Sequence, residues 1–101
     1  MGWLKINVDA SVREGIGVGV GAVCRDEEGC VVWGLTEQMR EMIDPSEAEA
    51  LAVYVGLKEA ARRGHQHVII ELDCSMVIDA LKLQKRGRSE IYLLFDDIHS
   101  I

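Results

Sequence analysis

The chain has 101 residues, 49% hydrophobic and 28% charged, enough for one domain with a packed core. That composition excludes collagen-like, mucin-like and wholly disordered chains. The formal net charge of −6, from 11 basic and 17 acidic residues, excludes a protein held on nucleic acid by a basic surface alone, but not a partner bound through metal ions.

The first predicted element covers Trp3-Leu4-Lys5-Ile6-Asn7-Val8-Asp9-Ala10, where Leu4, Ile6 and Val8 alternate with Lys5, Asn7 and Asp9. A period of two predicts a strand with one apolar face. A short loop over Ser11 to Glu14 leads to a second strand at about 16–25. Asp26-Glu27-Glu28-Gly29 then turns the chain into a third strand, Cys30 to Thr36. Residues 37–43 read as a polar loop. Asp44-Pro45-Ser46-Glu47 starts a helix, with Asp44 as N-cap and Pro45 at the first helical position. Basic residues Arg62 and Arg63 precede its stop at Gly64. His67 to Asp73 is a fourth strand, and Cys74 to about Gln84 a second helix with Met76, Val77, Ala80 and Leu81 apolar. Ser89-Glu90 opens a third helical segment that runs to the end. The order β-β-β-α-β-α-α predicts an α/β fold, a mixed sheet with helices on its faces, as a single domain over 1–101.

Three carboxylates stand out against this frame. Asp9 and Asp73 lie near the ends of strands, although Asp73 also suits an N-cap for the helix that follows. Stepping the first helix at about 100° per residue puts Glu47, Lys58, Glu59, Arg62 and Arg63 on one arc. Ala52, Val53, Gly56, Leu57 and Ala60 fall on the opposite arc, with Glu49 among them, while Leu51 and Val55 sit on the polar side. A carboxylate on a core-facing surface needs a partner; a salt bridge to Lys5 is the plainest one. The alternative is a cation. Asp9, Glu49 and Asp73 converge only if the helix packs over the sheet near those strand ends, and like charges so close destabilise the fold unless a cation lies among them. Hard oxygen donors suit Mg2+ or Mn2+, and two such ions can activate water and stabilise the leaving oxygen of a phosphodiester.

Four segments occur in order: Lys5-Ile6-Asn7-Val8-Asp9-Ala10-Ser11, Gly21-Ala22-Val23-Cys24-Arg25-Asp26-Glu27-Glu28-Gly29, Ala48-Glu49-Ala50-Leu51-Ala52 and Ile70-Glu71-Leu72-Asp73-Cys74-Ser75. Together they resemble the ribonuclease H-like domains of plant retroelement-type reverse transcriptase proteins, from Trp3 to about Ile98. The resemblance implies a ribonuclease H-like mixed sheet in an intracellular, nuclear or cytoplasmic protein. It implies that Asp9, Glu49 and Asp73 bind two Mg2+ (or Mn2+) ions and hydrolyse RNA in an RNA–DNA hybrid. It selects Glu49 over its neighbour Glu47. It also implies that the domain is incomplete, lacking the fold's fifth strand and the last helix with its fourth acid. Asp96 and Asp97 fall in the preceding helical segment, and His99 is not the family's loop histidine. Ala10 stands where the family usually has Gly. A catalytically silent domain that keeps the fold and binds nucleic acid or protein is the alternative.

Other patterns carry less. Three cysteines (Cys24, Cys30, Cys74) without a Cys-x-x-Cys pair read as free thiols, and with His65, His67 and His99 they do not space as a zinc site. Gly15-Ile16-Gly17-Val18-Gly19-Val20-Gly21-Ala22 contains a dinucleotide-type Gly-x-Gly-x-x-Ala match, but no helix follows it. Its glycines share one strand face, leaving room for packing or for a substrate. Lys82, Lys85, Arg86 and Arg88 form a basic cluster able to touch phosphates. Trp3, Trp33, Tyr54, Tyr92 and Phe95 are too scattered for a stacking platform. No apolar run is long enough for a membrane span, and Ile6 stands where a myristoylation motif wants Ser or Thr.

Overall fold

A computed structural model describes residues 2–13, 15–40, 44–73, 90–96 and 98. Its elements are β1 (Leu4–Arg13), β2 (Gly17–Arg25), β3 (Val31–Met39), α1 (Pro45–Arg62), β4 (His67–Asp73) and β5 (Glu90–Asp96). The strands form one mixed sheet in the order β3-β2-β1-β4-β5. β1, β2 and β3 meander antiparallel, β4 lies parallel to β1, and β5 returns antiparallel to β4.

Pairing lengthens two strands beyond their apolar alternation. Ser11, Val12 and Arg13 pair with Gly19, Val18 and Gly17, so residues expected in a loop continue β1. Glu37, Gln38 and Met39 likewise pair with Val20, Gly19 and Val18 and extend β3. These residues read as loop because the ladder bonds that hold them in the sheet leave no mark in the local side-chain pattern.

The last segment is a correction. Glu90–Asp96 is a strand, not a helix, and gives the described sheet a fifth strand. The Ser89-Glu90 start signal is overridden by period-two packing: Leu93 and Phe95 lie against the core, whereas Tyr92 and Leu94 are exposed. His67 Nδ1 lies 2.5 Å from Asp96 Oδ1 across the first β4–β5 pair. The predicted helix over Cys74–Gln84, its neighbouring basic cluster, Cys74, Asp97 and His99 lie outside the described residues.

α1 has the predicted ends. Asp44 Oδ1 accepts from the Glu47 amide at 2.9 Å, and these bonds to its neighbours hold its carboxyl below the usual range. At the other end Gly64, at φ +81°, turns the chain so that its amide and that of His65 reach the carbonyls of Ala61 and Ala60. The helix covers the sheet face made by Ile6, Val8, Ala10, Val18, Val20, Ile70 and Leu72. Its own buried side includes Val55, expected on the polar arc, together with Ala48, Ala52 and Ala60. Small residues let the helix sit close. A Cβ on Gly56 would stand 3.0 Å from Val8 Cγ1 and 3.5 Å from Ile6 Cγ2. Gly56→Val is therefore expected to destabilise by about 1–3 kcal/mol through overpacking, despite relieving a helix glycine. A urea midpoint equal to or above the parent's would show that the helix has room to lift.

At the end of the sheet where β1 begins, Trp33 Nε1–H donates to His65 Nε2 at 3.1 Å. That bond needs a neutral imidazole, and burial, with Arg63 nearby, holds the His65 pKa below its ordinary 6.5. The unfolded chain then binds a proton that the folded chain resists. Stability from this group is complete above pH 6.5 and falls as the pH drops toward the depressed value. Urea midpoints measured from pH 7.5 down to 5.0 should decline, and the His65→Phe variant should lose that part of the slope.

Candidate functional site

The β1–β4 register runs from Leu4↔Val68 to Val8↔Leu72. The next residues are Asp9 and Asp73, so two predicted site residues stand side by side on neighbouring parallel strands. Strand spacing sets their backbones about 4.8 Å apart. The described part of β4 ends at Asp73, and β1 runs on to Arg13.

Glu49 belongs to the same end of the molecule. Gly56 lies over Ile6, Val8 and Ile70, and the helix returns toward the start of β4. Seven residues back from Gly56 is about 10 Å along the helix, or roughly three residues of strand. Glu49 thus sits near the level of Asp9 and the end of β4. It is only 3% exposed, the buried charged side chain among the described residues. Its predicted alternative partner is excluded: Lys5 points from the opposite face, 3.4 Å from Glu71 Oε2.

Asp9 itself is exposed, between buried Val8 and Ala10, so its side chain leaves the sheet on the face away from α1. The structure therefore gathers the three positions at one end but sends Asp9 and Glu49 to opposite faces of the sheet. The side chain of Asp73 lies outside the described set. Among the described residues, no three His, Cys, Asp or Glu side chains are grouped to hold a metal ion.

The face away from α1 also carries a network that sequence reasoning did not find. Glu71, half-buried, accepts from Asn7 Nδ2 at 3.0 Å and from Tyr92 O–H at 3.3 Å, and the Lys5 ammonium lies 5.5 Å from the Tyr92 ring centre. Asn7 and Glu71 are register partners, so they share a face, the one Asp9 also takes, and with Tyr92 they tie β1, β4 and β5 together. The available signal was their common offset from Asp9 and Asp73. The glycine stripe opens on this face too: a Cβ on Gly21, opposite Asp9, would meet nothing within 4 Å. Gly17 is different, since a Cβ there would collide with the Met39 carbonyl at 2.1 Å.

Of the thiols, Cys24 is buried, its pKa pushed up to about 11 by desolvation, and is no nucleophile at neutral pH; Cys30 is exposed. The glycine motif runs through the β1–β2 turn into β2 and never opens a helix, so the dinucleotide reading fails. No helix among the described residues is long and apolar enough to cross a membrane.

Among the described residues the architecture is thus α/β: a five-stranded mixed sheet with a helix on one face and acidic positions side by side on β1 and β4. The family model described as reverse transcriptase-like matches residues 7–101, and the chain belongs to this ribonuclease H-like family. All three carboxylate positions fall inside the matched region. No curated protein and no solved structure shows a significant match.

Proposed function

We propose that the protein is a metal-dependent endoribonuclease of ribonuclease H type that hydrolyses the RNA strand of RNA–DNA hybrids. The observation that carries this reading is the adjacency of Asp9 and Asp73 on neighbouring parallel strands, with buried Glu49 on the helix at the same level. The family match supports a nucleic-acid substrate. The donor set fits the metal in its chemistry: three carboxylates are hard oxygen ligands of the kind Mg2+ and Mn2+ take.

Asp9, Glu49 and Asp73 would hold the ions. Two bound Mg2+ or Mn2+ ions would supply a water activated for attack and stabilisation of the departing 3′-oxygen. The chain's own contribution is placement. Strand register fixes Asp9 against Asp73, α1 brings Glu49 to their level, and the Asn7–Glu71–Tyr92 bonds hold the strands beneath them. On the face away from α1, open space at Gly21 would let a sugar-phosphate chain approach the backbone. Discrimination of RNA from DNA would rest on contacts to the 2′-hydroxyl.

A second reading, a catalytically silent domain that binds nucleic acid or protein, is favoured by one feature: Asp9 turns away from the helix that carries Glu49. A hybrid-cleavage assay with Mg2+ or Mn2+ separates the two. Cleavage that disappears in Asp73→Asn supports the nuclease, and no cleavage with either ion supports the silent domain. A Mg2+ titration followed by NMR checks the ligands directly; amide shifts centred on Asp9, Glu49 and Asp73 are expected, and a spectrum unmoved by the ion would remove the metal site.

A further inference from the structure

A concavity of about 890 Å3 lies at the other end of the sheet from Asp9 and Asp73. Its floor is the start of β1 at Trp3, one wall is the β2–β3 turn with Glu27 and Glu28, and the other is the α1–β4 link with His65 and His67. That volume accommodates a large side chain or a small molecule.

Its chemistry is selective. The Trp3 and His67 rings meet at 5.3 Å between centroids and present flat, polarisable surface. Among the described residues lining it there is no lysine or arginine. Asp26 is occupied in holding its turn, accepting from the Glu28 and Cys30 amides at 2.9 Å. Glu27 and Glu28 are exposed, and the Glu27 carboxylate folds so tightly over Gly2 that a methyl group there would overlap it. Glu27 and Glu28 disfavour a phosphate or carboxylate ligand, and no lysine or arginine on the described lining offsets them. A flat cation meets both kinds of wall. Guanidinium is planar, weakly hydrated and able to pair with carboxylates in two-pronged fashion, which compact ammonium does not match. The same combination already exists next door, where the Arg63 guanidinium lies 5.2 Å from the Trp33 ring centre and its Nε donates to Glu59 at 2.6 Å.

We propose that this concavity docks an arginine side chain of a peptide partner, its guanidinium against Trp3 and paired with Glu27 and Glu28. The site is independent of the carboxylates at the other end and of any nuclease activity.

The probe is acetyl-Gly-Arg-Gly-amide, titrated into the full chain and followed by tryptophan emission and amide NMR shifts. A saturable response is expected, with shifts at Gly2–Leu4 and Gly64–His67. The citrulline peptide, which has the same shape without the charge, should bind at least about tenfold more weakly, and so should the Arg peptide to the Glu27→Gln/Glu28→Gln variant. Both positions are exposed, so the variant is expected to unfold at the parent's midpoint. Three results would each overturn the proposal: no saturation at millimolar peptide, equal binding of the citrulline peptide, or unchanged affinity in the double variant. A lysine peptide binding as tightly as the arginine peptide would overturn the guanidinium assignment as well.

Discussion

Asp9→Asn is expected to lower Mg2+-dependent cleavage of an RNA–DNA hybrid by about a thousandfold and to leave the fold unchanged. The size follows from removing one charged ligand: metal-borne charge stabilisation amounts to several kcal/mol, and each ~1.4 kcal/mol is tenfold in rate. The neutral effect on stability follows from exposure. Asp9 is solvated, and none of its neighbours across the sheet, Asn7 and Ser11 on β1 or Gly21 on β2, depends on it for packing. Substitutions of that kind stay within about 0.5 kcal/mol, or roughly 4 °C in melting temperature for a domain this small. Single-turnover cleavage and thermal melts on the same preparation check both halves. Retained cleavage in Asp9→Asn would take Asp9 out of the metal site. Glu49→Gln is the informative companion. Glu49 is buried, so its replacement changes folding stability as well as cleavage, and the contrast between the two variants reads out the difference in their surroundings.

The sequence made different parts of this arrangement visible to different degrees. β1, β4 and α1 were legible because an apolar stripe, a proline at a helix start and a stop glycine are local signals that the tertiary fold only reinforces. Asp9 and Asp73 could be singled out as acids beside apolar alternation, yet their adjacency depends on the β1–β4 register, a pairing across 64 residues of chain that no local pattern encodes (Asn7 with Glu71 is an example). Glu49 was legible from the helical arc, and its burial agrees. The direction in which Asp9 leaves the sheet followed from alternation alone; that α1 would cover the other face did not. β5 was misread because Glu-Ile-Tyr-Leu-Leu-Phe-Asp follows a serine and carries an early acid, the mark of a helix start. Its β-branched and aromatic residues become decisive only when β4 offers an edge to pair with. Val55 failed for a related reason: the helix is nearly apolar all round near its middle, so which side is buried is set by the sheet beneath it.

Ile70→Ala is expected to carry the largest stability cost in the molecule. Ile70 is fully buried at the centre of β4, paired with Ile6 on β1 and Leu93 on β5, beneath the point where α1 comes closest at Gly56. Truncation removes the transfer energy of the lost carbons and leaves a cavity. The surroundings cannot collapse into it, because Ile6 and Val68 are fixed by strand pairing and α1 already rests on Val8. A value of about 3–4 kcal/mol follows, against a total stability of roughly 5–15 kcal/mol for a domain, and it corresponds to a drop of about 15–25 °C in melting temperature. Ile69→Ala, one residue away, is the control. Ile69 is half-buried on the face away from α1, so its truncation should cost about 1 kcal/mol or less. Denaturant unfolding of the two variants tests the face assignment directly. If Ile69→Ala proved as costly as Ile70→Ala, the placing of Ile69 on the face away from α1 would fall, and with it the direction assigned to Asp9, which shares its side.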